Sequence, residues 1–225
     1  TPGSPDDWRT SLGQIIVEVE LDSGVTGLGV GGGGAASIHI IDNVIRSELT
    51  HKEFHTPLEI HENLCEFTSF YGLSGIVPMA ISGIDLAIWD AYAKSHNMTV
   101  LGILNPATEI NASCAMYQTV FDAAGAKLAV EQGMVAVKLH LGQFGSDPCV
   151  NRIEELIQRT RDVVGLECEL MLDAFGNWNV YTTRNVADRI CKYDIAWIEE
   201  PLLPQEIASY TELCRDSPIP IAGGE

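Results

Sequence analysis

The chain has 225 residues, 46% hydrophobic and 20% charged, with 31 acidic residues against 13 basic ones and a net charge of −18. This composition supports a sizeable folded core and excludes a disordered tail. So acidic a surface repels nucleic-acid phosphates and anionic membranes; no nucleic acid and no membrane is expected as a partner, whereas clustered carboxylates can hold a hard cation.

In chain order, residues 14–22 (QIIVEVELD) alternate apolar and polar, and 25–30 (VTGLGV) return after Asp22-Ser23-Gly24, which predicts a β-hairpin. Gly27, Gly29 and Gly32 fit G-x-G-x-x-G, but the first two lie inside the second strand of the hairpin rather than in a strand-to-helix turn, so a nucleotide loop is not expected. Gly31 to Gly34 form a flexible loop before a helix at about 36–49. A helix follows at 57–70, and Pro78 opens a long one over 78–95, proline being suited to a first helical turn. On it, Ile81, Ile84 and Ile88 recur at helical spacing, and Ala80, Gly83, Ala87 and Ala91 make a small-residue face for close packing. Residues 100–110 form a connector.

Beyond it the pattern becomes regular. Strand-like runs at 112–119, 135–141, 168–173, 195–199 and 219–224 alternate with helical stretches at about 122–132, 149–163, 183–193 and 204–215. This order predicts a parallel sheet, either the start of a doubly wound sheet or part of a (β/α)₈ barrel. A full barrel takes about 250 residues, roughly twice what this segment offers.

The six cysteines (Cys65, Cys114, Cys149, Cys168, Cys191 and Cys214) form no C-x-x-C pair and read as reduced thiols in a cytoplasmic protein. No signal peptide and no apolar run able to span a bilayer is expected. The opening Thr1-Pro2-Gly3-Ser4-Pro5 is expected to lack residues upstream.

Three acids close three successive strands: Asp173 in LMLDAFGNW, Glu199 in WIEEPL and Glu225 in IAGGE, at equal intervals of 26 residues. Equal spacing over equal βα units places them at equivalent positions, and strand ends are where barrel active sites form. Three bare carboxylates repel one another; a hard cation such as Mg²⁺ removes the repulsion and keeps positions open for substrate. One strand earlier, Lys138 and His140 (VKLHL) share a face as i and i+2. Lys138 suits a substrate carboxylate, and His140 a general base near neutral pH.

These segments, together with GIDLAIWDAYAK at 83–94 and VKLHLG at 137–142, resemble the enolase superfamily, and within it the mandelate racemase and muconate-lactonizing group. The resemblance implies an α/β protein with an α+β capping domain at 1–108 followed by a (β/α)₇β TIM-like barrel, of which 109–225 supplies about the first half. It implies Asp173, Glu199 and Glu225 as Mg²⁺ ligands, with Glu200 a neighbour and no ligand. The shared chemistry is proton abstraction α to a carboxylate, with Mg²⁺ stabilising the resulting enediolate. FYGLSGIVPMAISGIDLAIWD looks most like L-rhamnonate dehydratase and related acid-sugar dehydratases, which lose the 3-hydroxyl to give a 2-keto-3-deoxy acid. The expected partner is thus a small-molecule carboxylate, an acid sugar, and a homo-oligomer is expected. A racemase or cycloisomerase, or a truncated non-catalytic paralogue, is the alternative.

His140 stands where the family usually has a second lysine, and Phe175 where many members have a polar residue. Trp8, Arg9 and Tyr71 lie where members close loops over substrate, Arg9 being suited to a carboxylate. The remaining barrel strands are absent beyond Glu225, so the sequence is expected to be part of a longer chain.

Overall fold

A computed structural model describes residues 13–50, 52–72, 74–107, 113–146 and 148–224. Trp8, Arg9 and Glu225 lie outside the described residues. The chain divides into two compact units, Thr1–Ala112 and Ser113–Glu225.

In the first unit, β1 (Ile15–Glu20) and β2 (Thr26–Gly31) form the expected antiparallel hairpin. The expected helix at 36–49 is broken into α1 (Gly34–Ile40), a π-helical turn (Ile41–Ile45) and α2 (Arg46–Thr50). Next come α3 (Pro57–Phe67), a 3₁₀ turn at Ser69–Tyr71 and α4 (Ile76–Ser95). Thr56 caps α3, accepting the Glu59 N–H, with Pro57 in the first turn. The connector holds a short α5 (Val100–Leu104).

The glycines of β2 have a packing role. A Cβ on Gly29 would stand 2.1 Å from the carbonyl oxygen of Gly83, and one on Gly27 2.1 Å from that of Ala87. The strand backbone therefore lies directly on the small-residue face of α4, as the Ala80-Gly83-Ala87-Ala91 spacing predicts. Around that contact Ile45, Leu64, Ile81, Ile84 and Ile88 close the core.

One expectation is corrected here. By length and composition α4 is long and apolar enough to cross a membrane. Its small-residue face is buried in the core, Asp85 pairs with His61, and Asp90 accepts from Lys94 and the Leu28 N–H. These are the contacts of a core helix in a folded domain.

In the second unit, β3 (Gln118–Val120), β4 (Ala136–His140), β5 (Glu169–Asp173), β6 (Ile195–Glu199) and β7 (Ile221–Ala222) form one parallel sheet in chain order. Between them run α6 (Ala123–Glu131), α7 (Val150–Val164), α8 (Val180–Ile190) and α9 (Ile207–Asp216). Sequential parallel order without reversal is that of a barrel rather than of a doubly wound sheet. The outer strands are shorter than expected: residues 113–117 carry no regular structure, and β7 ends at Ala222.

Successive residues of each strand point to opposite faces. Val137, Leu139, Leu170, Leu172 and Ile198 pack with Ile153, Ile157, Val186 and Ile190 of the helices. Their neighbours Lys138, His140, Met171, Asp173 and Glu199 therefore face the other way, toward the barrel interior. At the opposite end of the strands, buried Arg161 donates to the carbonyl oxygens of Gly165, Cys168, Tyr193 and Asp194, fixing the loops that feed β5 and β6.

Candidate active site

Register brings the polar residues together. His140 is the Cα partner of Asp173, and Asp173 that of Glu199, so three strand ends present side chains at one level. The ladder continues past the strands: Leu141 N–H donates to Asp173 O at 2.7 Å and Ala174 N–H to Glu199 O at 2.9 Å.

Glu225, the third of the equally spaced acids, lies outside the described residues. On the strand before it, Ala222 pairs with Glu199. Among the described residues no group of three His, Cys, Asp or Glu is placed to hold a metal ion. Asp173 and Glu199 supply two carboxylates.

Lys138 lies between those two. Its ammonium donates to Glu199 Oε1 and stands 3.8 Å from Asp173 Oδ2. Burial opposes its charge, but the hydrogen bond to Glu199 and the attraction of Glu199 and Asp173 outweigh burial and hold its pKa above the usual lysine value. The sign is that of a raised base: the pairing contributes to stability throughout the neutral range and is lost only as pH rises through the folded-state value, above the ordinary lysine range. The indole of Trp197 donates to Glu199 Oε2 at 3.2 Å, and the Phe175 N–H to Asp173 Oδ1 at 2.9 Å.

His140 Nδ1 lies 3.1 Å from Asp173 Oδ2. An ionised carboxylate only accepts, so Nδ1 carries the hydrogen and Nε2 keeps its lone pair. The ring sits edge-to-face with Phe121 and Phe175, at centroid distances of 5.2 and 5.1 Å. Phe175 holds a left-handed backbone (φ 58°), as does Glu200 (φ 42°). Both follow a strand-end acid, and strain of this kind gathers at functional sites. The turn at Glu200 takes its buried side chain to Tyr210, whose hydroxyl donates at 2.9 Å, and to the Gly224 N–H at 2.5 Å. Burial, and then the hydrogen bond to Glu200, drive the Tyr210 pKa far up. Glu200 thus acts as an anchor for the segment after β7, while a cavity of about 270 Å³ opens beside Glu199, Ala222 and Gly223.

Sequence reasoning missed Gly142, Phe121 and Trp197. Two carry a legible signal: Trp197 is two residues before Glu199 on one strand, and Gly142 two after His140. A Cβ on Gly142 would stand 2.6 Å from His140 Nε2. Gly142→Ala is therefore expected to push the imidazole off Asp173. We expect turnover by the full-length protein to fall about 100-fold, the cost of misplacing a reacting group by about 1 Å. Unchanged Tm alongside the kinetic loss would separate this from unfolding.

Tyr71 lies in the first unit, largely exposed at the end of the 3₁₀ turn.

Residues 9–105 match the mandelate racemase / muconate lactonizing enzyme N-terminal domain family, and residues 122–225 match the enolase C-terminal domain-like family. The chain belongs to the mandelate racemase/muconate lactonizing group of the enolase superfamily. Solved structures agree with this membership. The 3,6-anhydro-D-galactonate cycloisomerase of Zobellia galactanivorans is 30% identical, with a TM-score of 0.80 over 93% of this chain and 59% of its own. A Streptomyces coelicolor A3(2) racemase with bound magnesium is 25% identical, with a TM-score of 0.82 over 94% and 61%. A Bradyrhizobium enolase complexed with magnesium and mandelic acid is 25% identical, with a TM-score of 0.80 over 94% and 60%. The chain thus spans about three fifths of the length of these relatives, and with them shares the α/β fold, its parallel sheet forming part of a barrel.

Proposed function

We propose that the protein of which this chain is a part is a Mg²⁺-dependent acid-sugar dehydratase. The observation that carries the reading is the dyad of His140 and Asp173 on the same face as Lys138 and Glu199.

The donor set fits a magnesium ion. Asp173 and Glu199 offer hard carboxylate oxygens on neighbouring strands, and both already converge on one cation, the Lys138 ammonium. Asp173 and Glu199 would hold the ion, with Glu225 as the further ligand the family resemblance implies. Relatives with magnesium bound support this assignment. When bound, the ion supplies positive charge for the substrate carboxylate as charge develops there.

The protein's own groups do the rest. Asp173 orients the imidazole of His140 and stabilises it once protonated. His140 Nε2 takes the proton α to the carboxylate. Lys138 offers a second fixed positive charge beside the developing negative charge. Phe121 and Phe175 shield the ring of His140 from water. The 3-hydroxyl then leaves as water, taking the proton held by His140, and the resulting enol tautomerises to the 2-keto-3-deoxy acid.

The likeness of the 70–90 segment to acid-sugar dehydratases supports elimination over racemisation, and the histidine in place of the second lysine leaves a lysine–lysine base pair without support. The full-length protein, screened against acid sugars with and without Mg²⁺, is expected to yield 2-keto-3-deoxy product from at least one in the presence of Mg²⁺ alone. Exchange of the α-proton without elimination across the set would replace this reading with a racemase or cycloisomerase.

A further inference from the structure

His61 and Cys65 stand one helical turn apart on α3, so their side chains share a face. Cys65 Sγ lies 3.5 Å from His61 Nε2. The other ring nitrogen, Nδ1, lies 3.3 Å from Asp85 Oδ1 on α4. An ionised Asp85 only accepts, so it holds the hydrogen on Nδ1 and turns the Nε2 lone pair toward the thiol. This is the thiol–imidazole–carboxylate chain that activates a nucleophilic cysteine. It opens on a cavity of about 320 Å³ lined on the facing side by Val77, Pro78 and Ile81. All of these residues belong to the first unit, and none takes part in the strand-end chemistry.

We propose that this cavity is a thiol–disulfide exchange site, with Cys65 as nucleophile and a small uncharged disulfide as its reactant. The Cys65 thiol gives its proton to His61 Nε2. The thiolate attacks one sulfur of the disulfide; its S–S bond breaks as the mixed disulfide with Cys65 forms. The released thiolate takes the proton from His61, so no oxidant beyond the disulfide is consumed. The apolar wall suits the carbon chain of the reactant. The carboxylate of Asp85 and the net charge of −18 disfavour anionic disulfides.

The internal controls are in the same chain: Cys114, Cys149, Cys191 and Cys214 are exposed, whereas Cys65 is half-buried. Access alone would make Cys65 the slowest of the five. The intact protein is treated with 2-hydroxyethyl disulfide at pH 7, and each cysteine is followed by peptide mass spectrometry. Cys65 is expected to form its mixed disulfide about tenfold faster than any exposed cysteine. His61→Gln is expected to bring the Cys65 rate down about tenfold and leave the other four unchanged, which also reports an intact fold. Asp85→Asn is expected to lower the rate at Cys65 by a smaller factor. A Cys65 rate no faster than that of the exposed thiols overturns the proposal, as does a Cys65 rate unaffected by His61→Gln.

Discussion

His140→Asn in the full-length protein is expected to lower exchange of the substrate α-proton with solvent deuterium by about 1,000-fold, the middle of the range for losing a positioned general base. The reason lies in the immediate partners of the ring. An asparagine amide can still donate to Asp173 Oδ2, so the carboxylate keeps a partner. It has no basic nitrogen, so it takes no proton at neutral pH. The ring is half-buried, touching Phe121 and Phe175 at its edges, and truncation leaves a small space between two aromatic groups rather than an unpaired buried charge. Stability is therefore expected to change little while exchange collapses. Exchange is read by NMR on the acid sugar that the full-length protein turns over. Mg²⁺ affinity, measured by calorimetry on the same variant, is expected to stay within a few-fold of the parent. Retained exchange removes His140 as the base; lost Mg²⁺ binding assigns it instead to maintaining the site.

Much of this site is legible in the amino-acid sequence, because the contributing residues obey short periodicities. Period two puts Lys138 and His140 on one face of β4, and β–α alternation puts Asp173 and Glu199 at successive strand ends. The hairpin and α4 are legible for the same reason: Gly27 and Gly29 alternate on β2, and Gly83, Ala87 and Ala91 recur at helical spacing. Features set by pairing between distant segments are not. Nothing local states that β7 ends at Ala222. The π-helical turn at Ile41–Ile45 is likewise invisible, since the same residues suit a regular helix. His61 and Cys65 can be paired from their spacing on α3, but Asp85 completes the chain from another helix. The double glutamate at 199–200 shows how far backbone geometry can separate neighbours: a left-handed residue sends Glu200 to Tyr210 and Gly224, while Glu199 faces Lys138.

That separation gives the second large effect. Asp173→Asn is expected to weaken Mg²⁺ binding by about 100-fold or more, at least the loss seen when groups that merely support a metal ligand are removed. Both oxygens of the carboxylate already have partners: Oδ2 faces the Lys138 ammonium and His140 Nδ1, and Oδ1 accepts from the Phe175 N–H. The amide keeps the shape and can still accept that N–H, but it removes one of the two negative charges that offset the cost of dehydrating the ion. Since a ligand that binds only the folded state stabilises it by RT ln(1 + [L]/Kd), the Mg²⁺-dependent rise in Tm should shrink in step with affinity. Glu200→Gln supplies the contrast. It alters a buried side chain that accepts from Tyr210 and Gly224, so it is expected to lower Tm without Mg²⁺ while leaving the increment from added Mg²⁺ nearly intact. Equal losses of the Mg²⁺ increment in the two variants would mean that the adjacent acids share the ion, and would overturn the assignment of Asp173 and Glu199 as its holders. Loss in Asp173→Asn alone ties the cation to the face where His140 is poised.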